Sequence, residues 1–125
     1  MLEPEPAAGY RIVARPGALD RAAWPDGSIP LRIAPDEVLL LMGRPPPLED
    51  ESALVARDPS WVIVTLPPDD LRELSVRVSW SVPEPAGFAQ GSLAGVPVKL
   101  MTRADGSGLM LAPRVFTEEL EERLG

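Results

Sequence analysis

The chain has 125 residues, a length that suits one domain with an ordinary core, and it carries 19 acidic against 12 basic residues for a net charge of −7. It contains no cysteine and no histidine, which removes disulfides, thiolate nucleophiles, the commonest general base and the usual zinc ligand. The acidic balance excludes an electrostatic nucleic-acid surface, because phosphate binding is driven by Lys and Arg.

In chain order, residues 1–9 are mostly Pro, Glu and Ala, read as a flexible segment ahead of a single domain over residues 10–125. Tyr10–Ala14 ("YRIVA") predicts a short strand, and "ALDRAAW" (Ala18–Trp24) one or two helical turns. "IPLRIA" (Ile29–Ala34) alternates with period two, "PDE" turns, and "VLLLM" (Val38–Met42) is an apolar run closed by Gly43, so the two segments predict a hairpin. "RPPPLED" (Arg44–Asp50) predicts an extended connection, since consecutive prolines fix φ and remove donors. "EDESALVARD" (Glu49–Asp58) starts acidic and ends basic, which predicts a short helix aligned with its dipole.

"WVIVTL" (Trp61–Leu66), β-branched and aromatic between prolines, predicts a central strand. "PPDDLREL" (Pro67–Leu74) predicts a helix, with prolines and carboxylates in its first turn. "SVRVSWSV" (Ser75–Val82) alternates as a strand does, yet Leu71, Leu74 and Val78 also fit helical spacing, so strand and helix both stay open for residues 75–82. Phe88–Leu93, Val96–Arg103 and Leu109–Ala112 predict a three-strand meander turned by Ala94-Gly95 and by the Asp-Gly of "ADGSG". "FTEELEERLG" predicts a closing helix, with Thr117 as N-cap, Glu118 and Glu119 in the first turn, Phe116, Leu120 and Leu124 on one face, and Gly125 at the stop.

Gly87, Gly91 and Gly95 recur at four-residue spacing, but no helix follows them and neither G-x-x-x-x-G-K-[ST] nor G-x-G-x-x-G is present. They therefore predict backbone geometry rather than a phosphate cradle, with Gly91 a bulge and Gly95 a turn. Asp36-Glu37, Asp69-Asp70 and Glu118-Glu119 diverge in direction and sit at element starts, where capping explains them. Glu49-Asp50-Glu51 lacks the spaced ligands of a calcium loop, and Ser107 in "GSG" reads as a turn residue. Trp24, Trp61 and Trp80 read as core or interface anchors. Eleven of the twelve basic residues are Arg and only Lys99 is Lys. No catalytic residue and no metal site is predicted, and no cofactor-binding residue is assigned.

Two stretches, "LRIAPDEVLLLMG" (residues 31–43) and "GFAQGSLAGVPVKLMTRADGSGLMLAPRVFTEELEERL" (residues 87–124), resemble the gamma subunit of heterotetrameric sarcosine oxidase and, more broadly, folate-binding aminomethyltransferase-like domains. The resemblance rests on a "PDE-x-LLL" strand, a "LAGVPV" strand pair, an Asp-Gly hairpin and a terminal helix. It implies a small α+β domain packed against a larger flavin-containing subunit that oxidises N-methylated amines, with folate as one-carbon acceptor and both FAD and folate held by partner subunits.

The fold class expected is α+β, a mostly antiparallel sheet with a few short helices. The expected role is a non-catalytic accessory subunit whose partner is a larger flavoprotein subunit or a second copy; the alternatives are a stand-alone module binding a folate-like or other ligand, an uncharacterised homo-oligomeric domain and, last, an independent enzyme using only Asp, Glu, Arg and Tyr10. Apolar residues Phe88, Leu93, Val96, Val98, Leu100, Leu109 and Leu111 exceed what short helices can cover, so part of the sheet or its edge is expected to meet another chain. With no basic-plus-apolar leader and no apolar run of ~20 residues, the expected location is the cytoplasm, with no membrane and no nucleic acid as partner.

Overall fold

Residues far apart in the chain meet at its first strand: β1 (Glu5–Pro6) pairs antiparallel with Trp61–Leu66, setting Glu5 opposite Ile63 and Pro6 opposite Val62. The computed structural model describes residues 4–124. It divides into two compact units, one of residues 7–59 and one in which residues 4–6 join residues 60–124.

In the unit of residues 7–59, β2 (Gly9–Val13), α1 (Pro16–Arg21), β3 (Ile29–Ala34), β4 (Glu37–Leu41) and β5 (Leu54–Asp58) follow in order. The sheet runs β3-β4-β2-β5 and is antiparallel throughout. The expected hairpin is β3–β4, with Leu31 opposite Leu39. Pro16 opens α1, where its missing N–H costs nothing, and Arg21 lies in the last turn. Ala18 and Leu19 of α1 close over Ile12, Ala14, Val38 and Leu40, with Tyr10, Trp24, Leu48 and Ala53 half-buried around them.

The second unit continues with β6 (Trp61–Leu66), α2 (Pro68–Ser75), β7 (Phe88–Leu93), β8 (Val96–Thr102), β9 (Gly108–Pro113), a 3-10 turn at Arg114–Phe116, and α3 (Thr117–Leu124). Its order is β1-β6-β9-β8-β7. The predicted meander is present, and the α+β class with antiparallel sheets and short helices holds. Val62, Val64 and Leu66 of β6 share a buried cluster with Val98, Leu100, Met110 and Ala112, and Leu74 of α2 and Leu120 of α3 cover it.

Several expectations are corrected. Residues 49–58 form no helix: the acidic start is a turn, in which the Asp50 carboxylate accepts the Arg15 and Ser52 N–H groups at 2.8 and 2.9 Å, and β5 follows. Residues 76–82 form neither strand nor helix. After α2 ends, Val76 is 82% exposed while Val78, Trp80 and Val82 pack on the core cluster from an irregular segment, which mimics a period of two. β6 lies inside its sheet, flanked by β9 and by the two-residue β1, while β9 occupies the middle. Thr117 is not an N-cap; its φ and ψ are helical and its hydroxyl donates back to the Arg114 carbonyl at 2.9 Å, because the 3-10 turn already starts the helix.

Leu93, Val96, Val98, Leu100, Leu109 and Leu111 are all at most 3% exposed and Phe88 is half-buried, so the meander does not present the uncovered apolar face that was expected to meet another chain. Among the described residues the large exposed apolar side chains are instead Met42, Leu54, Val55, Val76 and Val115. Within the N-terminal stretch read as flexible, Glu5 and Pro6 form β1 and Ala7 is buried; the part of that expectation on residues 1–3 lies outside the described residues, as do the Leu124 side chain and the helix stop at Gly125. Among the described residues no helix is long and apolar enough to cross a membrane.

Candidate functional site

The glycines that invited a phosphate reading serve packing and turning. Gly91 is no bulge: the β7–β8 register runs unbroken through Gly91 opposite Val98. A Cβ at Gly91 would lie 2.4 Å from Cε2 and Nε1 of Trp80, whose indole N–H donates to the Ser92 carbonyl at 2.8 Å. Gly95 is a turn residue as expected, with φ +83° beside Ala94 at +51°, the two positive values of a tight hairpin. Gly95→Ala is therefore expected to lower stability by about 1 kcal/mol, measured by thermal unfolding; an unchanged melting temperature would show that the turn relaxes freely.

The carboxylate pairs fall into structural roles, through ion pairs rather than side-chain caps. Glu37 takes both ends of the Arg11 guanidinium at 2.9 and 3.0 Å, Asp69 pairs with Arg72, and Glu119 pairs with Arg123 at 3.4 Å. Neither α1 nor α2 has a side-chain cap. Ser107 is held by Asp105, which accepts from both its N–H and its hydroxyl at 2.9 and 2.6 Å. Among the described residues no three carboxylates gather as metal ligands.

Asp50 is a structural residue that residue type and position alone did not disclose. Besides its two backbone donors it lies 3.8 Å from the Arg15 guanidinium, and its side chain is only 9% exposed. Glu49 adds to the clasp, accepting from Arg21 at 2.8 Å through its carboxylate and from Arg15 through its carbonyl. The N–H of Arg15, then that of Ser52, holds the Asp50 carboxyl below the usual carboxylate range; the Ser107 hydroxyl and N–H do the same for Asp105. A carboxyl whose folded pKa is lowered contributes stability above its unfolded value of about 4 and loses that contribution as pH falls through the folded value. Melting temperature is thus expected to fall on acidification below about pH 4, with Asp50→Asn less stable near neutrality and showing a shallower acid slope. A parallel slope in the variant would remove Asp50 from this role.

The most chemically distinctive cluster surrounds the lone lysine. Lys99 on β8 stands opposite Gln90 of β7 and Leu111 of β9, and Leu111 in turn faces Ile63 of β6. From there its ammonium reaches over β9 to the Trp61 ring, 4.7 Å from the centroid, and donates to Gln90 Oε1 at 2.6 Å. A shallow depression of about 380 Å³ opens beside them, lined also by Ser92, Pro97 and Gly95. This arrangement supplies a cation on an aromatic face and an amide, groups that suit a planar anion. Trp24 and Trp80 pack on the two cores as expected, whereas Trp61 is half-buried beneath the lysine. The sole Lys in an apolar strand was the available signal for this cluster, but its aromatic partner lies two strands away.

No protein-family model matches the chain, and no curated protein matches it either. Among solved structures, heterotetrameric sarcosine oxidase from Corynebacterium sp. U-96, in complex with pyrrole 2-carboxylate, contains a chain that superposes with a TM-score of 0.76. The two chains share a fold. The match covers 99% of this chain and 80% of that one at 20% identity. The resemblance carried by residues 31–43 and 87–124 thus extends, as a fold, over almost the whole chain.

Proposed function

We propose that this chain is a non-catalytic accessory subunit of a flavin-dependent amine oxidase complex of the sarcosine oxidase kind. The observation that carries the reading is the fold match over 99% of the chain to a component of a heterotetrameric oxidase. The residue inventory supports it: without His or Cys, and with its carboxylate pairs engaged by Arg or placed in turns and helix starts, the chain has little to offer an oxidation. In this reading a larger subunit holds FAD and oxidises the N-methyl amine, folate accepts the one-carbon unit elsewhere in the complex, and the assembly works in the cytoplasm.

The test is co-expression with the product of a neighbouring flavoprotein oxidase gene. A stoichiometric complex that oxidises sarcosine, with the flavin on the larger chain and no turnover by this chain alone, is the expected result. Oxidation by this chain with added flavin, or a fully active oxidase that never retains it, would overturn the reading. The Trp61–Lys99–Gln90 depression favours a second reading, a module that binds a planar carboxylate-bearing ligand of the folate type. Quenching of tryptophan emission by such a ligand, abolished in Lys99→Met, would favour that reading over the first.

A further inference from the structure

We propose that the outer edge of β5 docks one extended segment of a different polypeptide, a segment that sets an apolar side chain beside Val55 and a carboxylate beside Arg57. The inference rests on the subunit reading for its biological setting and on strand chemistry for its content. A strand at the end of a sheet presents backbone N–H and C=O groups that template another strand, and proteins blunt such edges with proline, bulges, very short strands, charged side chains or covering groups.

Among the described residues four strands end a sheet, and three of them are blunted. β1 is two residues long and ends in Pro6. β3 carries Pro30 and a register shift between Arg32 and Ala34. On β7 the Ser92 carbonyl is taken by the Trp80 indole, which also covers Gly91. β5 has no proline, bulge or cover: its five residues "LVARD" pair with β2 in an unbroken register, and its one guard is the charge of Arg57 and Asp58 at its end. Residues 54–57 are all exposed, with Leu54 at 68% and Val55 at 48%.

The side chains specify what lies alongside. Val55 and Arg57 share a face, opposite Ile12 and Tyr10 of β2, and the Arg57 guanidinium rests 6.0 Å from the Tyr10 ring centroid. Among the described residues Arg57 is in none of the ion pairs that engage seven other arginines. An added strand places residues two apart opposite Val55 and Arg57, so an apolar residue and an acid in that spacing complement both. A second copy fits less well. Antiparallel pairing centred on Ala56 sets Val55 against Arg57 and Leu54 against Asp58; centred on Val55, it leaves Arg57 and Asp58 opposite Ala53 and Ser52. Each copy also carries a charge of −7, which opposes self-association.

Amide NMR of the full labelled chain tests this with a short synthetic peptide that alternates Val and Thr and carries one Asp two places from a Val, and with its Asp-to-Lys analogue. Shifts confined to residues 54–58 and the β2 residues beside them, a preference of roughly 2- to 5-fold for the Asp peptide, and reversal of that preference in Arg57→Glu are expected. Shifts at another edge, no response to either peptide, an unchanged preference in Arg57→Glu, or a peptide-free dimer protected at residues 54–58 would overturn it. Assembly into an oxidase complex without a peptide response removes only the docking edge. A peptide response without assembly removes only the subunit reading.

Discussion

Gly91→Ala is expected to destabilise the protein by about 3 kcal/mol, lowering the melting temperature by roughly 10 °C. The added methyl would sit 2.4 Å from two atoms of the Trp80 indole, a separation no contact tolerates, so the indole must move. Moving it breaks the 2.8 Å bond to the Ser92 carbonyl and lifts Trp80 from the core cluster it covers. Overpacking of this kind costs about 1–3 kcal/mol, and the lost hydrogen bond adds about 1. The decisive measurement is a double-mutant cycle: in a Trp80→Ala background the same substitution should be nearly neutral, since the space it needs is then empty. Additive losses would mean that the methyl meets something other than the indole.

Leu100→Ala carries the other large effect, a loss of about 3 kcal/mol in equilibrium denaturation. Leu100 is fully buried on β8, beside Met110 of central β9, in the cluster that α2 and α3 cover. Val115→Ala is the matched control. Val115 is 81% exposed, and its truncation should stay within about 0.5 kcal/mol. Equal losses at the two positions would contradict the placement of the core.

Where local chemistry and tertiary packing agree, the fold is legible in the chain. The β3–β4 hairpin follows from alternation around "PDE", and the meander from glycine turns between apolar runs. α2 follows from prolines and aspartates at its start. Legibility fails where a polar residue serves a distant partner. Asp50 looks like the acidic start of a helix, but its carboxylate is committed to the N–H of Arg15, 35 positions away. Val78, Trp80 and Val82 look like one face of a strand because each is drawn separately onto a core formed by other elements. The candidate site was hidden for the same reason. Lys99 and Trp61 lie on strands separated by β9, and their contact depends on a strand order that spacing does not encode.

The pairing of β1 with β6 bears on how the chain reaches its native state. Pro6 and Val62 stand opposite each other, so every residue from Ala7 to Ser60 belongs to the tether between them, and the unit of residues 7–59 occupies nearly all of it. Closing an unstructured tether of that length carries an entropic cost that grows with the logarithm of its length. Once residues 7–59 have folded, the effective span shrinks to the separation between their ends, and β1 finds β6 at a much smaller entropic loss. Those residues also emerge during synthesis before the strand that β1 needs. Folding of residues 7–59 is therefore expected to precede and speed the pairing of β1 with β6.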